Sequence, residues 1–237
     1  MFSFWPFDKG VSIESSGFLA GYEDAHSHIL PGVDDGVSDA EESLSILALY
    51  ESMGVRRVWL TPHIMEDVPN SPSDLRARFD AFCKLYEGGI ELRLSSENML
   101  DSLFEERFAS NDILPYGEDG DSLLVETSYF TPPYGFYSML EEIKHRGYYP
   151  VLAHPERYIY MDKDVYRKLK SMGVQFQLNL PSLAGYYGPE VRRKAIWLVN
   201  NGLCNMYGCD VHSLSSLRHI VSSRIPHRTV EALMMNR

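Results

Sequence analysis

No run of about 18 or more apolar residues occurs in the 237-residue chain, so no membrane-spanning helix is expected. Cysteine is scarce. Cys83, Cys204 and Cys209 cannot all pair with one another and no C-x-x-C is present, which fits a reducing compartment and makes the cytoplasm the expected location. None of the three has the arginine six positions on that a cysteine-nucleophile phosphatase requires; Gly89, Asp210 and Ser215 stand there instead. A G-x-S-x-G elbow and a G-x-x-x-x-G-K-[ST] loop are both missing, which argues against a serine hydrolase and a P-loop NTPase. Positive charge is short as well: 22 Lys and Arg against 33 Asp and Glu leave a net charge of −11, the wrong balance for a nucleic-acid binder. The apolar opening, Met1 to Phe7, lacks a basic leader and is too short for a signal-peptide core. It is expected to pack on the domain.

What the chain does have is an alternation of short β-rich runs with longer amphipathic ones. Strands are expected at Phe18–His26, Val55–Thr61, Ile90–Ser95, Leu123–Thr127, Tyr149–Ala153, Val174–Leu178 and Leu203–Gly208. Helices are expected from Ser38 (a capping box with Glu41) to Gly54, from Ser71-Pro72 to Tyr86, and near 99–108, 134–146, 163–171, 189–200 and 228–235. Seven βα units without a Pro/Gly/Ser-rich linker predict an α/β fold: a single parallel, TIM-like barrel over residues 17–237, preceded by an extension over 1–16.

The polar residues fall where such a barrel builds its active site. His26, His28, His63, Glu97, Glu126, His154, Asp210 and His212 all lie at the C-terminal ends of predicted strands, and Asp35 lies in a Gly-Val-Asp-Asp-Gly turn. His26/His28 and Asp210/His212 are spaced two apart, so each pair projects to one side of an extended chain. A single histidine or glutamate at a strand end is most often just a hydrogen-bonded structural residue. Nine nitrogen and oxygen ligands together suit a multinuclear hydrolytic centre for Zn, Mn or Fe. Divalent ions would more than neutralise Asp35, Glu97, Glu126 and Asp210, so the acidic net charge does not veto an anionic substrate. Arg157, three residues past His154, is placed to grip a phosphoryl oxygen; Arg218 is a second candidate, equally readable as a solvated loop residue. Tyr129, Tyr134, Tyr186 and Tyr187 are candidates for an aromatic rim.

The segment Asp24-Ala25-His26-Ser27-His28-Ile29-Leu30-Pro31-Gly32-Val33-Asp34-Asp35-Gly36 resembles the opening motif of the PHP (polymerase and histidinol phosphatase) superfamily. More narrowly it resembles the CpsB/YwqE-type bacterial protein-tyrosine phosphatases of capsular polysaccharide synthesis. Thr61-Pro62-His63, Glu97, Glu126, His154-Pro155-Glu156-Arg157-Tyr158, Gly185-Tyr186-Tyr187-Gly188 and Asp210-Val211-His212 continue the likeness. It implies a distorted (βα)7 barrel with two or three divalent ions, manganese first, then iron, zinc or magnesium. Carried over, His26, His28, Glu97 and Asp210 would hold one metal; Glu97, Glu126 and His154 a second; Asp35, His63 and His212 a third. Arg218 stands one place later than the family's second arginine, and the ending Met-Met-Asn-Arg comes early, implying a short last helix. The implied substrate is phosphotyrosine on the disordered tail of a bacterial tyrosine kinase governing polysaccharide export. The alternatives are a small-molecule phosphatase of the histidinol-phosphate type and a non-catalytic module that docks a kinase tail.

Overall fold

A computed structural model describes residues 10–235. The apolar opening segment, Met1 to Phe7, lies outside the described residues. Along the chain run β1 (Val11–Ser12), β2 (Glu23–Ser27), α1 (Ala40–Ser52), β3 (Arg57–Leu60), β4 (His63–Ile64), α2 (Pro72–Cys83), β5 (Glu91–Leu94), β6 (Glu97–Met99) and α3 (Ser102–Ala109). They are followed by β7 (Ser122–Glu126), α4 (Phe136–His145), β8 (Tyr149–Ala153), α5 (Lys163–Ser171), β9 (Gln175–Asn179) and α6 (Leu180–Ala184). The last elements are α7 (Pro189–Asn200), β10 (Met206–Gly208), α8 (Leu214–Ser222), β11 (Arg224–Ile225) and α9 (His227–Met235).

The strands make two all-parallel sheets, β2-β3-β5 and β10-β9-β8-β7-β6-β4, the longer one forming a half-barrel, plus a small antiparallel pair of β1 with β11. The two parallel sheets share passages of chain. β4 resumes two residues after β3, across Thr61-Pro62, and β6 resumes two residues after β5, across Ser95-Ser96. Backbone bonds hold the breaks together: Thr61 N–H donates to Ser27 O (2.8 Å), Ser95 N–H to Leu60 O (3.0 Å) and Glu97 N–H to Pro62 O (3.0 Å). At the other margin, Asp210 N–H donates to His26 O (2.8 Å) and His28 N–H to Val211 O (2.9 Å). The last parallel strand thus runs beside the first.

Burial explains the register. Every residue of β7 is buried, as expected of a parallel strand covered on both faces. Helices bury one apolar stripe each: Phe136, Leu140 and Ile143 in α4, which packs on β8, and Ala195, Leu198 and Val199 in α7, which packs on α6 and α9. Asp24, fully buried, accepts from Tyr50 Oη and from Cys209 N–H (2.8 Å), pinning β2 to α1 and to the end of β10. Burial pushes its carboxyl up to about 6.

Several elements differ from the sequence expectation, and three bear on the site. The first strand begins at Glu23 rather than Phe18, because Gly17 and Gly21 take left-handed φ values of 75° and 68° and wind Phe18 to Tyr22 into a packed turn. α1 is capped by Asp39, whose carboxylate accepts from Glu42 N–H (2.9 Å); Ser38 stands one place outside. The run after His212, where no element was expected, is α8, with Ser213 and Ser216 as a reciprocal cap and Leu217, Ile220 and Val221 buried.

Candidate metal centre

Most predicted ligands leave the C-terminal end of a strand or the loop beyond it, while His63 and Glu97 open β4 and β6, just past the breaks that follow β3 and β5. His26 and His28 alternate with Ser27 at the end of β2, fully buried, with their Nε2 atoms 3.0 Å apart. Glu97 opens β6 and Glu126 closes β7. His154 and Asp210 sit at left-handed φ values of 34° and 52°, uncommon for side-chain-bearing residues, where the turn directs each side chain into the centre.

Glu97 is the hub. Its Oε2 lies 3.2 Å from His26 Nε2, 3.3 Å from His28 Nε2 and 3.2 Å from His63 Nδ1, while Oε1 pairs with His154 Nε2 at 2.8 Å. Glu126 Oε1 stands 3.1 Å from His63 Nδ1. Asp210 Oδ1 approaches His28 Nε2 at 3.4 Å and His212 Nδ1 at 3.5 Å. Asp35, largely exposed at the mouth, faces His63 Nε2 (3.5 Å) and His212 Nε2 (3.6 Å). The candidates form four overlapping metal-ligand groups: His28/Asp35/His63/His212, His26/His28/Asp210, His26/Glu97/His154 and His63/Glu97/Glu126. All nine predicted ligands occur in them.

The donor set fits divalent cations. His63 Nδ1 lies 3.2 Å from Glu97 Oε2 and 3.1 Å from Glu126 Oε1, all three atoms are buried, and none makes a hydrogen bond. Buried polar atoms left in this state cost free energy that a shared cation would offset. Asp34, by contrast, belongs to the supporting layer. It accepts from His28 Nδ1 (2.8 Å), His63 N–H (3.0 Å) and Gly36 N–H (3.0 Å), fixing which imidazole nitrogen faces the centre. Gly36 permits that turn, since a Cβ there would fall 2.1 Å from His28 O.

Without cations the cluster balances its own charge. Burial opposes the charged imidazole of His26, but Glu97 and Asp210 outweigh it and raise its pKa to about 9. His28 is likewise raised, against burial, by Asp210, Asp34 and Glu97. Glu97 and Asp210 are driven well below the carboxylate range, against burial, by His26 with His154 and by His26 with His28 respectively. A histidine whose folded pKa is raised contributes stability that is complete below the unfolded value, about 6.5, and lost as pH rises through the folded one. The metal-free protein is therefore expected to melt at progressively lower temperature between about pH 6.5 and pH 9, and the metal-loaded protein much less so. Differential scanning calorimetry of both forms across that range checks this.

Arg157 stands at the mouth. Its Nη1 donates to Asp210 Oδ2 (3.0 Å), and its guanidinium lies over the rings of Tyr129 (4.4 Å) and Tyr187 (4.3 Å). Two of the four predicted rim tyrosines are therefore the walls of an arginine slot. Tyr186 packs edge-on against Tyr187, and Tyr134 is fully exposed. Arg218 lies exposed on α8 and makes no hydrogen bond or ion pair among the described residues. Sequence reasoning missed Asp34 and the pair Gln177 and Asn179, although Q-x-N repeats the two-residue spacing of H-x-H and D-x-H.

The family model for capsular polysaccharide synthesis, CpsB/CapC, matches residues 22–226. The chain belongs to the CpsB/CapC family. All nine predicted ligands and both arginines lie within the matched span. Tyrosine-protein phosphatase YwqE of Bacillus subtilis (strain 168) is 28% identical over 199 residues, covering 81% of this chain and 78% of that protein. Tyrosine-protein phosphatase CpsB of Streptococcus pneumoniae is 27% identical over 212 residues, covering 81% and 84%. Among solved structures, one from the work on YwqE of Bacillus subtilis and CpsB of Streptococcus pneumoniae, metal-dependent tyrosine phosphatases, superimposes with a TM-score of 0.77 at 24% identity. It covers 91% of this chain and 87% of that one, which identifies the CpsB/CapC fold.

Proposed function

We propose that this member of the CpsB/CapC family is a metal-dependent protein-tyrosine phosphatase acting on a bacterial tyrosine kinase of capsule or exopolysaccharide synthesis. The observation that carries the reading is the buried ligand cluster around Glu97, with unpaired polar atoms turned toward one another beside an aromatic-walled arginine. The names of the relatives supply the substrate class. The nine-ligand set suits three divalent ions, with manganese first and iron, zinc or magnesium as substitutes. The two parallel sheets, sharing their broken strands and meeting where β10 runs beside β2, are read as one distorted (βα)7 barrel over 17–237. No helix among the described residues is long and apolar enough to cross a membrane, and the cytoplasm is the proposed location.

Divalent ions in this site would supply Lewis acidity toward the phosphoryl group and lower the pKa of a water molecule toward neutrality. The protein's own residues do the rest. Glu97 holds imidazoles from three strand ends around one carboxylate. Arg157 offers its planar fork to the phosphoryl oxygens, and its negative partner Asp210 keeps the guanidinium aimed at the centre. Tyr129 and Tyr187 hold that fork flat and present ring surface to an aryl ester. A phenolate leaving group, with a pKa of about 10, needs little proton donation, so the chemistry does not demand a dedicated acid.

Stripping the protein with a chelator and reloading it with manganese should abolish and then restore hydrolysis of a phosphotyrosyl peptide. The kcat/KM for that peptide should exceed that for histidinol phosphate by roughly tenfold or more, the scale one well-formed pocket contact provides. A preference for histidinol phosphate would overturn the substrate assignment, and peptide binding without turnover by the loaded protein would overturn the enzymatic one.

A further inference from the structure

β9 supplies no metal-ligand candidate, yet it carries two fully buried amides, Gln177 and Asn179, turned toward the cluster. Gln177 Oε1 lies 2.8 Å from His26 Nδ1; Gln177 Nε2 donates to Asn179 Oδ1 (2.9 Å); Asn179 Nδ2 donates to Asp210 Oδ2 (2.8 Å). The four side chains thus make one unbroken hydrogen-bonded line from His26 to Asp210.

The line has a fixed polarity. An ionised carboxylate can only accept, so Asn179 must turn its NH2 to Asp210. Its carbonyl oxygen then faces Gln177, which must answer with its own NH2. The Gln177 carbonyl is left toward His26, so Nδ1 of His26 carries a proton whether or not the ring is charged, and Nε2 is the nitrogen left to face the centre, 3.2 Å from Glu97 Oε2, and to give a lone pair to a cation there. The backbone N–H of His154 also points at Gln177 Oε1 (3.4 Å), in agreement with the same orientation. At the other end, Asn179 and Arg157 both occupy Asp210 Oδ2, leaving Oδ1 toward His26 and His28. The chain has also made room for this arrangement. A Cβ on Gly208 would fall 2.5 Å from His26 Cβ and 2.7 Å from Gln177 Nε2, so only glycine fits beside the pair.

We infer that Gln177 and Asn179 are positioning residues for the metal centre. They transmit the charge of one ligand, Asp210, into the tautomer and ring orientation of another, His26. The inference rests on reading the cluster as a metal centre, and it concerns residues that touch neither substrate nor cation.

The test measures manganese affinity by competition with a chelating dye, with the metal-free melting temperature as a control on folding. Gln177→Met keeps the volume and removes the hydrogen bonds; it should bind manganese about 10- to 100-fold more weakly than wild type, the scale typical of lost outer hydrogen bonds to metal-bound histidines. Gln177→Glu restores an acceptor for His26 and should return the affinity to within a few-fold. A Met variant that binds like wild type, or a Glu variant as weak as the Met one, overturns the inference. A wild-type protein that binds no manganese overturns the metal-centre reading itself. A second measurement needs no variant. In the zinc-loaded wild type, long-range proton–nitrogen NMR should place the proton of His26 on Nδ1; a proton on Nε2 overturns the polarity argument.

Discussion

Replacing Glu97 with glutamine is expected to remove phosphatase activity and bound metal together. The carboxylate touches four imidazoles, from β2, from β4 and from the end of β8, and two of the four ligand groups include it. An amide keeps the shape but lacks the charge and turns an NH2 toward nitrogens that need a lone-pair donor as partner. Activity should fall by roughly 10³-fold or more, since the metal and the charge stabilisation it gives are lost at once. Metal content by elemental analysis should fall with it. The metal-free variant should also be less stable than metal-free wild type by about 3–5 kcal/mol, the cost of leaving buried charges without their partner. Because the Glu97 carboxylate is held well below its ordinary range, its contribution is present above about pH 4.5 and fades only in stronger acid. The His26 contribution fades as pH rises through about 9. Because the His26 contribution is complete only below about pH 6.5, the stability gap should be widest between about pH 4.5 and pH 6.5, and a Glu97→Gln protein that retains metal and turnover would remove the hub from the proposed site.

Arg157→Met should have the opposite pattern: activity lost and metals kept. The guanidinium is charged under all working conditions, and Asp210 raises its pKa further against the effect of burial. Methionine fills the space between Tyr129 and Tyr187 without an N–H fork, so kcat/KM should fall about 10²- to 10³-fold, as when one preorganised donor to a developing anion is removed. Arg157→Lys should recover little, because an ammonium can neither stack flat between two rings nor donate two parallel bonds. Manganese stoichiometry should stay near that of wild type. Full activity in Arg157→Met, measured on the phosphotyrosyl peptide, would show that the aromatic slot serves packing alone.

The candidate ligands were legible in the sequence because strand geometry is simple. Two residues apart means one side, and strand ends in a parallel α/β fold collect at one face, so H-x-H, T-P-H, H-P-E-R and D-x-H could be summed without coordinates. Other parts depend on tertiary context. Nothing in the residue types of His154 and Asp210 announces left-handed backbone, which tertiary packing has to impose. Asp34 and Asp35 are chemically identical neighbours, and only the approach of His28 and His63 separates the supporting carboxylate from the one facing the mouth. The helix over 214–222 takes shape only once the apolar positions 217, 220 and 221 find a surface to pack on. Gln177 and Asn179 carry no charge and belong to no metal-ligand motif, so their role emerges only from the partners at each end.

The pairing of β2 with the segment after β10 also constrains the order of assembly during synthesis. His26 and His28 leave the ribosome early, but the backbone that holds them, through Asp210 N–H and Val211 O, and two of their companion ligands are made some 180 residues later. A nascent chain ending before Asp210 therefore carries a row of histidines and acids with no fixed geometry, able to bind stray cations loosely and in the wrong combinations. The geometry of the cluster is complete only once the chain through His212 has been made and the first and last parallel strands lie side by side.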